Sequence, residues 1–170
     1  MWFADECHFQ QHGSRRVMWI PPETSDPVLL HAPTRKSVAV FGAVCPADGR
    51  LVTFSVTSFN AETFQIFLGL FLRHARPDRK IILVLDNARF HHAAVLQPWL
   101  KDHRSQLQLD FLPPYSPDLN PIERVWKLTR RLCTHNRYFP KLEELIEAVF
   151  GQFRVWRKPN MMLHQLCAII

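Results

Sequence analysis

Three acidic residues, far apart along the chain, stand where carboxylates can be held for metal chemistry. Asp5 closes the apolar run MWFAD, Asp86 closes IILVLD, and Glu123 follows the proline-rich block LPPYSPDLNP. In open α/β sheets, sites form in the crevice outside the carboxyl ends of the strands. If the first two runs are adjacent parallel strands, Asp5 and Asp86 reach one crevice, where like charges raise each other's pKa. A divalent cation removes that conflict, and oxygen-only ligands suit Mg²⁺ or Mn²⁺. Three carboxylates are what a two-metal phosphoryl-transfer centre requires, one ion activating water or a 3′-hydroxyl and the other stabilising the leaving oxygen.

Each acid also has a purely structural duty open to it. An Asp that closes a strand commonly forms a turn or caps a helix, and Asp86-Asn87 suits the start of the segment that follows. Asn120 is a good N-cap, Pro121 fits the first helical position, and Glu123 then falls at the third. That N-x-x-E pattern resembles a capping box, in which Glu123 reaches back to the Asn120 amide. The four prolines of the block (Pro113, Pro114, Pro117, Pro121) restrict the backbone ahead of Glu123, so a side chain placed there has little positional spread.

The elements that must position these residues follow from hydrophobic patterning. Strands are expected at 1–5, 15–20, 37–44, 51–56, 81–86 and 107–112, with Asp48-Gly49 turning a hairpin between the third and fourth. A proline-rich loop is expected from the second of these to about residue 35. Helices are expected over 61–73, with Asn60 as cap, and over 92–101, 121–134 and 141–153, where apolar residues recur at helical spacing. The tail beyond Arg157 carries little signal. Strands first, then strand and helix in alternation, is an α/β order with a mixed sheet.

Composition bounds the rest. The chain has 170 residues, enough for one domain with a real core, and is 47% hydrophobic and 21% charged. No apolar run is long enough to span a membrane, so the expected compartment is the cytoplasm or bacterial nucleoid. A net charge of +6 favours a polyanionic partner, nucleic acid first. The four cysteines, Cys7, Cys45, Cys133 and Cys167, form no C-x-x-C pair and read as reduced thiols rather than a zinc site. No glycine-rich phosphate loop is present.

DNARFH (86–91) followed by LPPYSPDLNPIERVWK (112–127) resembles the catalytic domain of IS630-type transposases of the Tc1/mariner group, and ADECHF (4–9) is similar to that family's first acidic motif. The resemblance covers about residues 1–155, and the proline block is its most specific part. It implies an RNase H-like fold, a mixed five-stranded sheet flanked by helices, over a domain at 1–157 with a tail at 158–170. It implies a catalytic and metal-binding triad of Asp5, Asp86 and Glu123 with two Mg²⁺ or Mn²⁺ ions, acting on transposon ends and joining them to target DNA. Glu6, Asn87, His91 and Asn120 are expected just behind the triad. Arg89, Lys127, Arg130 and Arg131 are candidates for DNA phosphates, although Lys127 also suits an ion pair with Glu123 and the others a solvated helix face. Trp126 reads as core. Family members usually carry a helix-turn-helix region ahead of the first acid. Its absence here is expected of a second-frame product, partnered by an upstream helix-turn-helix polypeptide and forming a homodimer, or of a truncated, inactive remnant that at most binds DNA or regulates.

Overall fold

The computed structural model describes residues 1–23, 30, 32–75, 79–114 and 116–168. Five strands, β1 (Trp2–Gln10), β2 (Ser37–Cys45), β3 (Arg50–Val56), β4 (Ile81–Leu85) and β5 (Leu107–Phe111), form one sheet in the order β3-β2-β1-β4-β5. The β1–β2 and β2–β3 pairs are antiparallel, and the β1–β4 and β4–β5 pairs are parallel. Helices α1 (Ala61–Ala75), α2 (Gln97–Asp102), α3 (Ile122–Cys133), α4 (Leu142–Trp156) and α5 (Met161–Leu166) complete the domain.

The period-2 alternation of β1 divides the molecule into two cores. Trp2 and Ala4 face α1, packing with Phe41, Phe64, Phe67, Phe71 and Leu83. Phe3, Cys7 and Phe9 face the other way, against Val125 and Trp126 of α3 and Val149, Phe153 and Trp156 of α4. The central strands are therefore buried on both faces, which is why they read as nearly unbroken apolar runs. Asn60 caps α1 as expected, its Oδ1 accepting from the Thr63 amide at 2.9 Å.

Four expectations need correction. Residues 15–20 form no strand: they lie along the surface with Val17 and Trp19 exposed, tied to the fold by the Asn136 side chain at Arg16 and, just ahead, by a bridge between Ser14 and His135. A short apolar run makes a strand only where a neighbour offers backbone partners, and β2 already occupies that side of β1. The first strand is no stub ending at Asp5, because β2 pairs with β1 out to Gln10↔Ser37. The helix expected over 92–101 is two 3₁₀ turns, Arg89–His92 and Ala94–Leu96, leading into the short α2, whose first turn holds Pro98. The residues after Arg157 form α5. Asn160 caps it through the Leu163 amide and ties it to the Gly49 carbonyl at the β2–β3 turn. Part of the proline-rich loop ahead of β2 lies outside the described residues.

Candidate active site

The site opens where β1 outruns β4. Parallel pairing of these strands covers Trp2↔Leu83 and Phe3↔Val84 and then stops. Continued in the same register, Asp5 comes abreast of Asp86, the residue that follows β4, across a strand spacing of about 4.8 Å. Asp5 thus reaches the crevice from the middle of its strand, and Asp86 from the end of its own.

The third wall is the proline block. The chain leaves β5 with the Leu112 amide bonded to the Leu85 carbonyl, then turns through Pro117–Leu119 into α3. A cavity of about 430 Å³ results, lined by Asp5, Asp86, Asn87, Pro113, Pro114, Pro117, Asn120 and Glu123 among others. The three acids, distant in sequence, share this one cavity. Asn87 sits at its edge and donates from Nδ2 to the Leu112 carbonyl, fastening the β4 end to the proline block.

Asn120 is not the helix cap. Its Nδ2 donates to the Ala4 carbonyl at 3.0 Å, stitching the start of α3 to β1 one residue before Asp5. No side chain caps α3; the Glu123 amide bonds to the Asn120 backbone carbonyl instead, at 3.1 Å. The capping-box arrangement is thereby excluded, and the Glu123 side chain lines the cavity. Asn120 Oδ1 is buried with no partner among the described residues, an unsatisfied acceptor beside three carboxylates.

Trp126 is core, as its sequence context suggests, and it also touches the site. Its indole Nε1 donates to Asp5 Oδ2 at 2.9 Å. Its ring lies over Gly42, the β2 residue paired with Asp5, at a place where any Cβ would collide with the indole. Glycine is required there by close approach rather than by backbone torsion. Sequence reasoning missed this contact; the available signal is that Trp126 falls three residues after Glu123, one turn along the same helix.

Asp86 is held differently. Its Oδ1 accepts from the Ala88 amide at 3.0 Å and stands 3.3 Å from His91 Nδ1. His91 is buried between Phe64 and Phe90, and its Nε2 lies 3.6 Å from Glu6 Oε1. Glu6, next to Asp5 on β1, points to the opposite face of the strand, so His91 links the two faces around the β4 end. Ligand atoms of Glu6, Asp86 and His91 all lie within 4.8 Å of one another.

The electrostatics record a concentration of negative charge. Burial, then the charge of Glu123, push Asp5 up to about 7, with Asp86 adding to the effect. Burial, then Asp5 and Asp86, push Glu6 up to about 8. Asp86 moves the other way, lowered chiefly by its hydrogen bond from His91. Desolvated carboxyls that repel one another, with an orphaned amide oxygen beside them, form a donor set that a hard divalent cation fits.

The basic candidates stand apart from this cavity. Arg89, Lys127 and Arg131 are exposed, and no ion pair joins Lys127 to Glu123 among the described residues. Arg130 is half-buried two turns along α3 from Glu123, its guanidinium over the Phe9 ring and its Nη2 at 2.9 Å from Cys7 Sγ. The four cysteines are free and buried. No helix among the described residues is long and apolar enough to cross a membrane.

A mixed five-stranded sheet between two helical layers, with acids gathered where its central parallel strands part, is an RNase H-like fold. The family model for DDE superfamily endonucleases matches residues 1–146, and the chain belongs to that family. Among curated relatives it is 34% identical over 107 residues to the uncharacterised protein y4pE/y4sA of Sinorhizobium fredii (strain NBRC 101917 / NGR234), covering 63% of this chain and 76% of that one. It is 27% identical to the IS630 insertion-element 39 kDa protein of Shigella sonnei, covering 64% of this chain and 31% of that one. The Tc3 transposase of Caenorhabditis elegans is 30% identical, covering 69% of this chain and 36% of that one. Of solved structures, a Mos1 mariner paired-end complex with Mn superposes with a TM-score of 0.70 at 18% identity, over 98% of this chain and 51% of that one. A Mos1 paired-end complex with Mg gives 0.65 over the same share of this chain and 52% of that one. The chain thus spans about a third of the IS630 and Tc3 proteins and half of the Mos1 chains.

Proposed function

We propose that this chain is the catalytic domain, over residues 1–157, of a metal-dependent transposase that cuts transposon ends and joins the resulting 3′-hydroxyl strand to target DNA. The observation that carries the reading is the shared cavity of Asp5, Asp86 and Glu123, with the Asp5 proton held by burial and by its acidic neighbours. The residues that would hold Mg²⁺ or Mn²⁺, two ions in this reading, are these three. Bound there, the metal supplies a Lewis acid for the attacking and leaving oxygens of a phosphodiester.

The chain's own residues do the positioning. Trp126 fixes one oxygen of Asp5, and the Ala88 amide with His91 fixes one oxygen of Asp86. Asn120 and the proline block hold the start of α3, and so Glu123, against β1. Such bracing keeps ligands within the narrow geometry that metal chemistry demands. Double-stranded DNA, both transposon end and target, is the proposed partner, held through the basic surface. End recognition is assigned to a helix-turn-helix region supplied by another segment or polypeptide, with two copies of the catalytic domain acting together.

The test supplies that end-binding region, transposon-end DNA and Mg²⁺ or Mn²⁺. Cutting is expected from the wild type and its loss from Asp5→Asn, Asp86→Asn and Glu123→Gln. Normal cutting by Asp86→Asn overturns the triad. An inactive remnant that keeps the fold and at most binds DNA is the competing reading. Calorimetric titration separates the two, since divalent binding at the carboxylates supports the enzyme and none supports the remnant.

A further inference from the structure

A second polar cavity, of about 230 Å³, lies farther along the seam between β1 and α3 and is unused by the proposed mechanism. Its walls are the end of β1, the segment at Gly13–Ser14 and the last turn of α3 with Thr134. The segment is pinned there. Gly13 takes a φ of +62°, where a Cβ would come within 2.8 Å of the Thr134 carbonyl. The Asn136 side chain bonds both the amide and the carbonyl of Arg16, at 2.8 and 2.9 Å.

Two groups in this cavity lack the partner their chemistry calls for. The Ser14 hydroxyl is out of solvent and has no hydrogen-bond partner among the described residues. Arg130, also in the lining, rests on an aromatic ring and a thiol, and no described carboxylate lies within ion-pair distance of it. A buried hydroxyl without a partner beside a guanidinium without an anion points to a missing acceptor that carries negative charge. The surroundings are cationic as well. Burial, then the charges of Arg16, Arg130 and Arg131, press the His135 imidazole below its ordinary range, and His135 is the bridge partner of Ser14.

The placement relates the cavity to the carboxylates. From Asp5 to Phe9 along β1 is about 13 Å, and from Glu123 to Arg130 along α3 about 10 Å. Each nucleotide of one B-form strand rises about 3.4 Å along the axis and also turns around it, so neighbouring phosphates stand about 6–7 Å apart through space. We propose that this cavity binds a backbone phosphate of the DNA about two nucleotides from the phosphate at the carboxylates, with Ser14 donating its hydroxyl and Arg130 its guanidinium. The inference rests on the DNA-processing function proposed above, and it adds a strand-positioning site to it.

The test uses the whole chain and a short fluorescent duplex of arbitrary sequence, in chelator, with anisotropy read across a salt series. Arg130→Gln keeps the stem over Phe9 and an N–H toward Cys7, and should lower the slope of log affinity against log salt by about 0.9, the share of one phosphate contact. Ser14→Asp sets a carboxylate against the phosphate and should weaken binding about tenfold or more, as expected when a phosphate contact becomes a repulsion. Ser14→Ala removes a hydroxyl that serves no protein partner, so its melting temperature should hold while affinity falls several-fold. Arg154→Gln on α4, beside the separate cavity at Thr53, should keep both affinity and slope. Unchanged affinity and slope in folded Arg130→Gln and Ser14→Ala overturn the phosphate site, whatever Ser14→Asp does to folding. Altered binding in these variants together with no metal-dependent cutting by the wild type would overturn the transposase reading while leaving the phosphate site in place.

Discussion

Holding a proton on Asp5 makes the fold sensitive to pH in a direction opposite to that of most proteins. Asp5 rises from 3.8 to about 7 in the folded chain, while the unfolded chain releases that proton near the ordinary value. Between those limits the native state binds more protons than the unfolded state, so stability falls as pH rises. Three units correspond to about 4 kcal/mol at most, at about 1.4 kcal/mol per unit. Glu6, at about 8, acts in the same direction. The two are not summed, because each is raised partly by the other. Only the two units between pH 5 and about 7, about 3 kcal/mol, fall inside a pH 5–8.5 scan, so at about 2–4 °C per kcal/mol the melting temperature should drop about 6–12 °C between those limits in chelator. Asp86, lowered and exposed, contributes below this window, and lowered His135 opposes the trend only at its acid end. Asp5→Asn mimics the protonated acid, so the difference between it and wild type isolates the effect. The variant should be the more stable by about 1.5 kcal/mol at pH 5, where the unfolded wild type has already lost its proton, and by about 4 kcal/mol at pH 8.5. Mg²⁺ or Mn²⁺ should restore the wild type at pH 8.5 and leave the variant unmoved. A wild-type melting temperature that stays level with Asp5→Asn across this range in chelator would refute the argument.

Other outcomes follow from single contacts. Trp126→Phe removes the donor to Asp5 Oδ2 and should cost about 1.5–3 kcal/mol in urea melts at pH 8.5, with a smaller loss at pH 5 where Asp5 is protonated. Gly42→Ala drives a methyl into the Trp126 indole and should destabilise by about 1–3 kcal/mol while also weakening divalent binding measured by calorimetry. Truncation after Arg157 removes α5, whose end accepts from Arg124 at the Leu166 and Ala168 carbonyls, and with it Cys167, which contacts the Pro121 carbonyl. The shortened chain should melt lower and bind Mn²⁺ more weakly, since those contacts brace the turn that carries Glu123.

What was readable in the sequence is what depends on local pattern. The two-sided burial of β2 and β4 and the helical stripes of α1, α3 and α4 each leave a periodic signature. Asp86 at the end of β4 and Glu123 at a proline-stiffened helix start were readable because both are local features, whereas Asp5 lies mid-strand in a β1 whose full length the sequence did not reveal. What depends on a distant partner was not readable. Residues 17–20 form a short apolar run like a strand's, yet no neighbouring strand takes them up. Asn120 sits at a good capping position, but the Ala4 carbonyl, brought close only by the fold, claims its amide. Nothing in IERVW shows that the indole of Trp126 turns to Asp5, since that depends on a glycine 84 residues earlier on β2. In α5 a single fully buried leucine, Leu163, leaves almost no hydrophobic period to detect.

The central claim, that the three acids hold a metal together, is tested most directly by replacing that metal with iron. With Fe²⁺, ascorbate and peroxide, radicals formed at the bound ion cut the polypeptide where it passes nearest. Cuts clustered near residues 5, 86 and 123, lost together when excess Mg²⁺ is added, are the predicted result. Cuts near 5 and 86 with none near Glu123, or a pattern that Mg²⁺ does not suppress, would contradict it.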